Sequence, residues 1–155
     1  MPFGTPLGEL IDLAGGAVGS LQAILMGGAA GSFVGPEMLG LPLTLEDAAA
    51  NGTTLGSGAI TVFSSDVDML EVVRRLAKFF RDESCGQCVP CRIGTVRQHE
   101  VLLQIAPVGP DSAQRGLLDD ISAVMTDASI CGLGHTAASA VQSALDLGFL
   151  DTDRH

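Results

Sequence analysis

Glu83-Ser84-Cys85-Gly86-Gln87-Cys88-Val89-Pro90-Cys91-Arg92 sets three of the chain's four cysteines in a C-x-x-C-x-x-C run, and the fourth, Cys131, follows after an interval of 39 residues. No cysteine is left over. A loop that offers a thiolate every third residue can reach three iron corners of a cubane cluster, and the fourth ligand can come from any segment the fold brings near. Iron–sulfur clusters are held by four cysteine thiolates, often from such runs. Structural zinc favours two separated C-x2-4-C pairs whose knuckles face each other, and no second pair is present. The spacing therefore points to a [4Fe–4S] cluster. A four-cysteine zinc site, disulfides and idle thiols remain the alternatives.

Composition narrows the classes. The chain has 155 residues, a net charge of −10 and a pI near 4.4. That acidity argues against a nucleic-acid partner, and the absence of Trp and Tyr removes the usual platforms for stacking bases. Closely grouped cysteines and a Met1-Pro2-Phe3 start without a basic region suggest a reducing, cytoplasmic setting rather than export. Residues 13–36 carry no charge and are long enough to span a bilayer. Seven of them are Gly, at positions 15, 16, 19, 27, 28, 31 and 35, which reads better as turns around buried strands. Membrane insertion is not expected.

Two segments differ in pattern, and together they predict an α+β chain. Residues 1–63 are rich in Gly and Pro. Thr5 as N-cap and Pro6 at the first position start a short helix, with Leu7, Leu10, Ile11 and Ala14 on one face. Leu21–Met26, Ser32–Val34 and Ala59–Phe63 read as strands, and Thr44 opens a second helix with Asp47 at its third position. The Gly27–Gly31 turn invites a phosphate-cradle reading. No helix start follows it, so nucleotide binding is not expected.

Residues 64–155 have helical period. Ser65 is the expected N-cap of a helix with Met69, Val73, Leu76 and Phe80 inward. Arg74, Arg75, Lys78 and Arg81 fill its other face, as solvated charges or as a docking edge for an acidic partner. Pro90 disfavours helix at Val89, so the cysteine loop is expected to stay open until Arg92. A second helix then runs to about Ile105 with Ile93, Val96 and Leu103 inward, and Pro107-Val108-Gly109-Pro110 ends it. A third starts near Asp111 with Leu117, Ile121, Val124 and Ala128 inward. A fourth runs from Thr136 to Leu147, closed by Gly148. This is a four-helix bundle with its cysteines on two loops at one end. Arg92 either donates to a cluster sulfur or is a plain helix-start residue. His135 is an ordinary polar neighbour rather than a substitute ligand, Glu83 has no decided role, and no Ser–His–Asp grouping is evident.

The decapeptide 83–92, with Cys131-Gly132-Leu133-Gly134, resembles the C-terminal part of the NADH-binding flavoprotein subunit of respiratory complex I. Related NAD-linked hydrogenases and formate dehydrogenases share the module. The resemblance implies that Cys85, Cys88, Cys91 and Cys131 ligate a [4Fe–4S] cluster that accepts electrons from FMN. It also implies that residues 1–63 form a β-grasp (SLBB) domain, on Gly4-Thr5-Pro6-Leu7, Gly27-Gly28 with Gly31, and Gly56-Ser57-Gly58-Ala59. The G-R-G-G-A-G-F-type motif of the family's flavin and NADH domain is absent. FMN is therefore expected only on a partner chain. The expectation is an electron-transfer subunit without a catalytic site of its own, working with a flavoprotein and other iron–sulfur subunits. The competing reading is a structural zinc module for complex assembly.

Overall fold

The computed structural model describes residues 2–106 and 108–151, in two compact units, Met1–Val67 and Asp68–His155. Met1 and Pro107, used above for the chain start and for a helix break, lie outside the described residues.

In the first unit, helix α1 (Leu7–Leu13) buries Leu7 and Ile11 and stops at Gly15 and Gly16, both with positive φ. Its N-cap is Pro6, one residue later than expected. Strands β1 (Leu21–Met26), β2 (Ser32–Val34) and β3 (Ile60–Ser64) form an antiparallel sheet in the order β2-β1-β3. Leu25 pairs with Phe33 on one side and with Thr61 on the other. As the central strand, β1 buries Ala23, Ile24, Leu25 and Met26 in succession, which is why its apolar residues run on without alternating. Ile24, Met26 and Val34 join Leu7, Ile11 and Leu41 in the core. The uncharged stretch thus folds as a helix end, two strands and their turns. Among the described residues no helix is long and apolar enough to cross a membrane.

The Gly27–Gly31 turn contains a single 3₁₀ turn, Gly28–Ala30, and meets the turn before β3. A Cβ on Gly56 would lie 2.7 Å from the Gly27 carbonyl oxygen. Ser57 Oγ donates to that same oxygen, and Gly27 N–H donates to Ala59. These glycines allow two backbones to touch. Helix α2 (Leu45–Ala50) starts as expected, with Thr44 Oγ1 accepting from Asp47 N–H at 2.9 Å.

The second unit is helical. Helix α3 (Met69–Glu83) is capped by Asp68, whose carboxylate accepts from Glu71 N–H; Ser65 instead donates its N–H to Ser20. Met69, Val73 and Phe80 are buried as expected, together with Leu70 and Ala77. Helix α4 (Val89–Gln104) begins three residues before the expected start. Pro90 falls in its first turn, where the missing N–H has no intrahelical partner to lose. Helix α5 (Ser112–Ala128) carries a full capping box between Asp111 and Gln114. The expected fourth helix is α7 (Ser139–Asp146), which begins three residues later than expected, and a short helix α6 (Gly132–Thr136) occupies the stretch expected to be loop.

The inward faces of α4 and α5 differ from the expected ones. Ile93, Val96 and Leu103 are exposed, and the buried positions of α4 include Thr95, Gln98 and His99. On α5, Leu118 and Met125 are fully buried, while Leu117 and Val124 are exposed. The two helices cross where Gly94 has no side chain: a Cβ there would lie 2.4 Å from Met125 Cγ.

Polar side chains tie the helices to each other's backbones. Gln98 Nε2 donates to Ala137 at 2.9 Å, and Gln142 Nε2 donates to Leu118 at 3.0 Å. Arg74 donates to the carbonyls of Leu102 and Ile105, capping the C-terminal end of α4. It is neither a purely solvated charge nor a free docking edge. Arg75 pairs with Glu71 and Lys78 with Asp82.

Two outcomes are expected. Arg74→Met removes two charge-assisted bonds to orphan carbonyls and should lower unfolding free energy by about 1–3 kcal/mol in urea titrations. His99, buried and accepting at Nδ1 from Arg81, is held below its ordinary 6.5 by burial first and the Arg81 charge next. Asp82 opposes that shift, and Lys78 and Arg74 add to it. The unfolded chain then binds the proton more tightly, so stability rises with pH and is lost as pH falls below 6.5. His99→Gln should flatten that part of the stability–pH curve, read by thermal melts between about pH 7 and 5.

Candidate functional site

The cysteines come from two loops. The first leaves the end of α3 at Glu83 and turns at Gly86, whose φ of +76° favours Gly over any side chain. Ser84 Oγ accepts from Gly86 N–H and lies 3.4 Å from Cys91 Sγ. The Arg92 side chain donates to the Gly86 carbonyl at 3.3 Å, its only side-chain hydrogen bond among the described residues. It staples the loop rather than reaching a sulfur.

Cys88 is the N-cap of α4, and Cys91 lies within its first turn, where Thr95 Oγ1 bonds back to its carbonyl. Cys131 is the N-cap of α6. The second loop is pinned by His135, whose Nε2 lies 2.8 Å from the Ser129 carbonyl oxygen. Gly134 lets the two loops close: a Cβ there would lie 2.2 Å from Ser129 Oγ and 3.1 Å from Cys91 Cβ.

A cavity of about 140 Å³ results, lined by Cys85, Cys88, Cys91 and Cys131 with Glu83, Ser84, Gln87 and Leu133. All four expected cysteines line it; Arg92 and His135 do not. Cys91 is buried, and Cys85 and Cys131 are exposed. Burial pushes the Cys91 thiol up, and neighbouring charge on Cys88, Cys131 and Cys85 pushes it further. The Ile130 backbone N–H, and next that of Cys91, hold the Cys88 thiol below its ordinary value. The sulfurs of both loops therefore sense one another. Ser129 Oγ is buried and meets no partner at hydrogen-bond geometry among the described residues, although it lies close enough to favour the Cys88 thiolate slightly.

Among the described residues no three His, Cys, Asp or Glu side chains converge tightly enough to hold a single metal ion. Tetrahedral zinc with bonds of about 2.3 Å needs sulfurs about 3.8 Å apart. Ser84 and Leu133 receive no role from sequence. Only the fold shows that Ser84 faces Cys91.

A mixed helix-and-sheet chain with four thiols around one cavity defines a cysteine-lined cofactor-binding module. The family model of the NADH-ubiquinone oxidoreductase-F iron-sulfur binding region matches residues 71–150, and the chain belongs to that family. It is 33% identical to the NADP-reducing hydrogenase subunit HndC of Solidesulfovibrio fructosivorans over 149 residues, 94% of this chain and 30% of that protein. It is 35% identical to the F-type subunit of the NADH-quinone oxidoreductase of Mycobacterium tuberculosis over 146 residues, 93% of this chain and 33% of that protein. A crystal structure of an NAD+-reducing [NiFe]-hydrogenase in the H2-reduced state matches with a TM-score of 0.82 at 30% identity, over 94% of this chain and 25% of that one. The chain thus spans about a third of the length of the relatives it matches. An iron–sulfur-binding region of an oxidoreductase is the level of function these likenesses carry.

The close approach at Gly134 is testable against its neighbour. Gly134→Ala forces the Ser129 loop away and should lower stability by about 2 kcal/mol or more. Gly132→Ala enters open space and should stay within about 0.5 kcal/mol of the parent in the same denaturant titration.

Proposed function

We propose that Cys85, Cys88, Cys91 and Cys131 hold a [4Fe–4S] cluster and that the chain relays single electrons inside an NADH dehydrogenase- or hydrogenase-type complex. One observation carries the reading: four cysteines from two distant loops line one cavity in a chain of an iron–sulfur-binding family. When bound, the cluster supplies one-electron redox chemistry, for which the protein needs no nucleophile or proton donor.

The residues divide the remaining work. Cys91 anchors the buried side of the cavity, and Cys85 and Cys131 face its mouth. The Ile130 N–H favours the thiolate of Cys88. Ser84 stands within reach of the Cys91 sulfur, and a hydroxyl donated there raises the potential of a cluster.

The first unit is read as the β-grasp (SLBB) domain and the second as the helical bundle that carries the cluster. FMN and NADH are assigned outside these residues, with the flavin on a partner chain as the expected arrangement, because the flavin motif is missing from this sequence. The partners are a flavoprotein and further iron–sulfur subunits, in the cytoplasm. A zinc module fits less well, because the family to which the chain belongs is an iron–sulfur-binding one.

Anaerobic purification should give about four irons and four sulfides per chain, with a broad visible absorption that bleaches on reduction. Cys91→Ala should abolish it, while Ser84→Ala should keep the iron and lower the midpoint potential in a redox titration. About one zinc per chain with no sulfide would overturn the assignment.

A further inference from the structure

Helices α4 and α5 each turn an apolar stripe away from the unit. Val89 and Ile93 on α4 are 59% and 49% exposed, and Val124 on α5 is 56% exposed. With Ile121, Pro90 and Gly94 they line one groove of about 290 Å³, edged by Arg97 and Asp120. The spacing 89, 93, 96 on one helix and 117, 121, 124 on the other is that of a helix face made for burial. Yet the faces these helices bury within the unit are different ones, with Thr95, Gln98 and His99 on α4 and Leu118 and Met125 on α5.

We propose that this groove docks an amphipathic helix of a partner chain, with an apolar face flanked by Lys or Arg. A helix suits it because two parallel ridges of side chains accept a third ridge between them. An added strand does not, because the backbones of α4 and α5 are already bonded internally. The charge follows from the rim. Arg97 is committed to Glu100 at 2.6 Å, while Asp120 has no partner among the described residues. The same holds throughout the helical unit: each described Lys or Arg bonds a carboxylate or a carbonyl of its own chain. What the surface leaves unpaired is acidic, so the occupant is basic at its edges. The groove also adjoins the cysteine loop, because Val89 and Pro90 stand between Cys88 and Cys91. A helix seated there would bring its chain next to the cysteine cavity.

The test uses the full chain with its cofactor reconstituted, and a synthetic Leu/Lys amphipathic helix of about five turns. A Leu/Glu peptide with the same apolar face serves as comparison. Fluorescence anisotropy should show the Lys peptide binding, with affinity about tenfold weaker for Ile93→Ser and for Val124→Ser. Val108→Ser, an exposed apolar position outside the groove, should bind like the parent. Asp120→Asn should weaken the Lys peptide and leave the Leu/Glu peptide unaffected. Circular dichroism and visible absorption check that each variant is folded and loaded. Equal binding by parent and groove variants overturns the proposal, as does equal binding of both peptides. A parent chain that dimerises in sedimentation while Ile93→Ser stays monomeric also overturns it, because the occupant is then a second copy.

Discussion

The cavity exists because two helices of nearly equal length run out and back. Helix α4 leaves the cysteine run with 16 residues and α5 returns with 17, which at 1.5 Å per residue are about 24 and 26 Å. The 39 residues between Cys91 and Cys131 are therefore no open loop to be closed against chain entropy. They are a measured detour that puts Ser129–Cys131 back where α4 began. The missing side chain of Gly94 sets how closely the two helices cross, and that of Gly134 sets how closely the returning loop approaches Cys91. Lengthen one helix alone by a turn and the fourth thiol would arrive about 5.4 Å out of place along the helix axis.

The buried thiol resists ionisation. Burial raises Cys91, the Ser84 hydroxyl offsets part of that rise, and the neighbouring thiols add to it again. At Cys88 the backbone N–H groups of Ile130 and Cys91 outweigh burial and favour the thiolate. Since ligation requires thiolates, a positively charged inorganic core of the kind proposed would favour the arrangement, and its binding would couple to folding of both loops. One of the donors to Cys88, the Cys91 N–H, belongs to the first turn of α4, where backbone N–H groups have no intrahelical partner.

Much of this is legible in the sequence where the governing chemistry is local. Thr44 and Asp111 announce helix starts because their side chains bond the next turn, and the strands announce themselves because β-branched and apolar runs are bounded by glycine. The cysteine spacing forecasts one shared cavity on two loops. Other features depend on neighbours that no window of residues can name. Pro90 is compatible with helix despite its usual effect on the residue before it, because the fold places it in the first turn of α4. Helix α3 is capped by Asp68 rather than Ser65, because it is the Asp68 carboxylate that accepts from the N–H of Glu71 in the first turn. Arg74 has the pattern of a surface charge, and only the fold sets the end of α4 beside it.

The apolar stripes of α4 and α5 separate two things that periodicity runs together. Their spacing marks faces made for burial, but it does not say that the burial happens within one chain. Inside the unit, the covered face of α4 mixes Cys91, Val101 and Leu102 with Thr95, Gln98 and His99, whose bonds to Cys91, Ala137 and Arg81 make the polar groups tolerable there. Specific bonds within that mixed face fix the angle and register of α4, and with them the position of Cys91. The apolar residues displaced to the outside are then free to serve a second contact. A helix built this way belongs to two interfaces at once, one that aims a cysteine and one that waits for another chain.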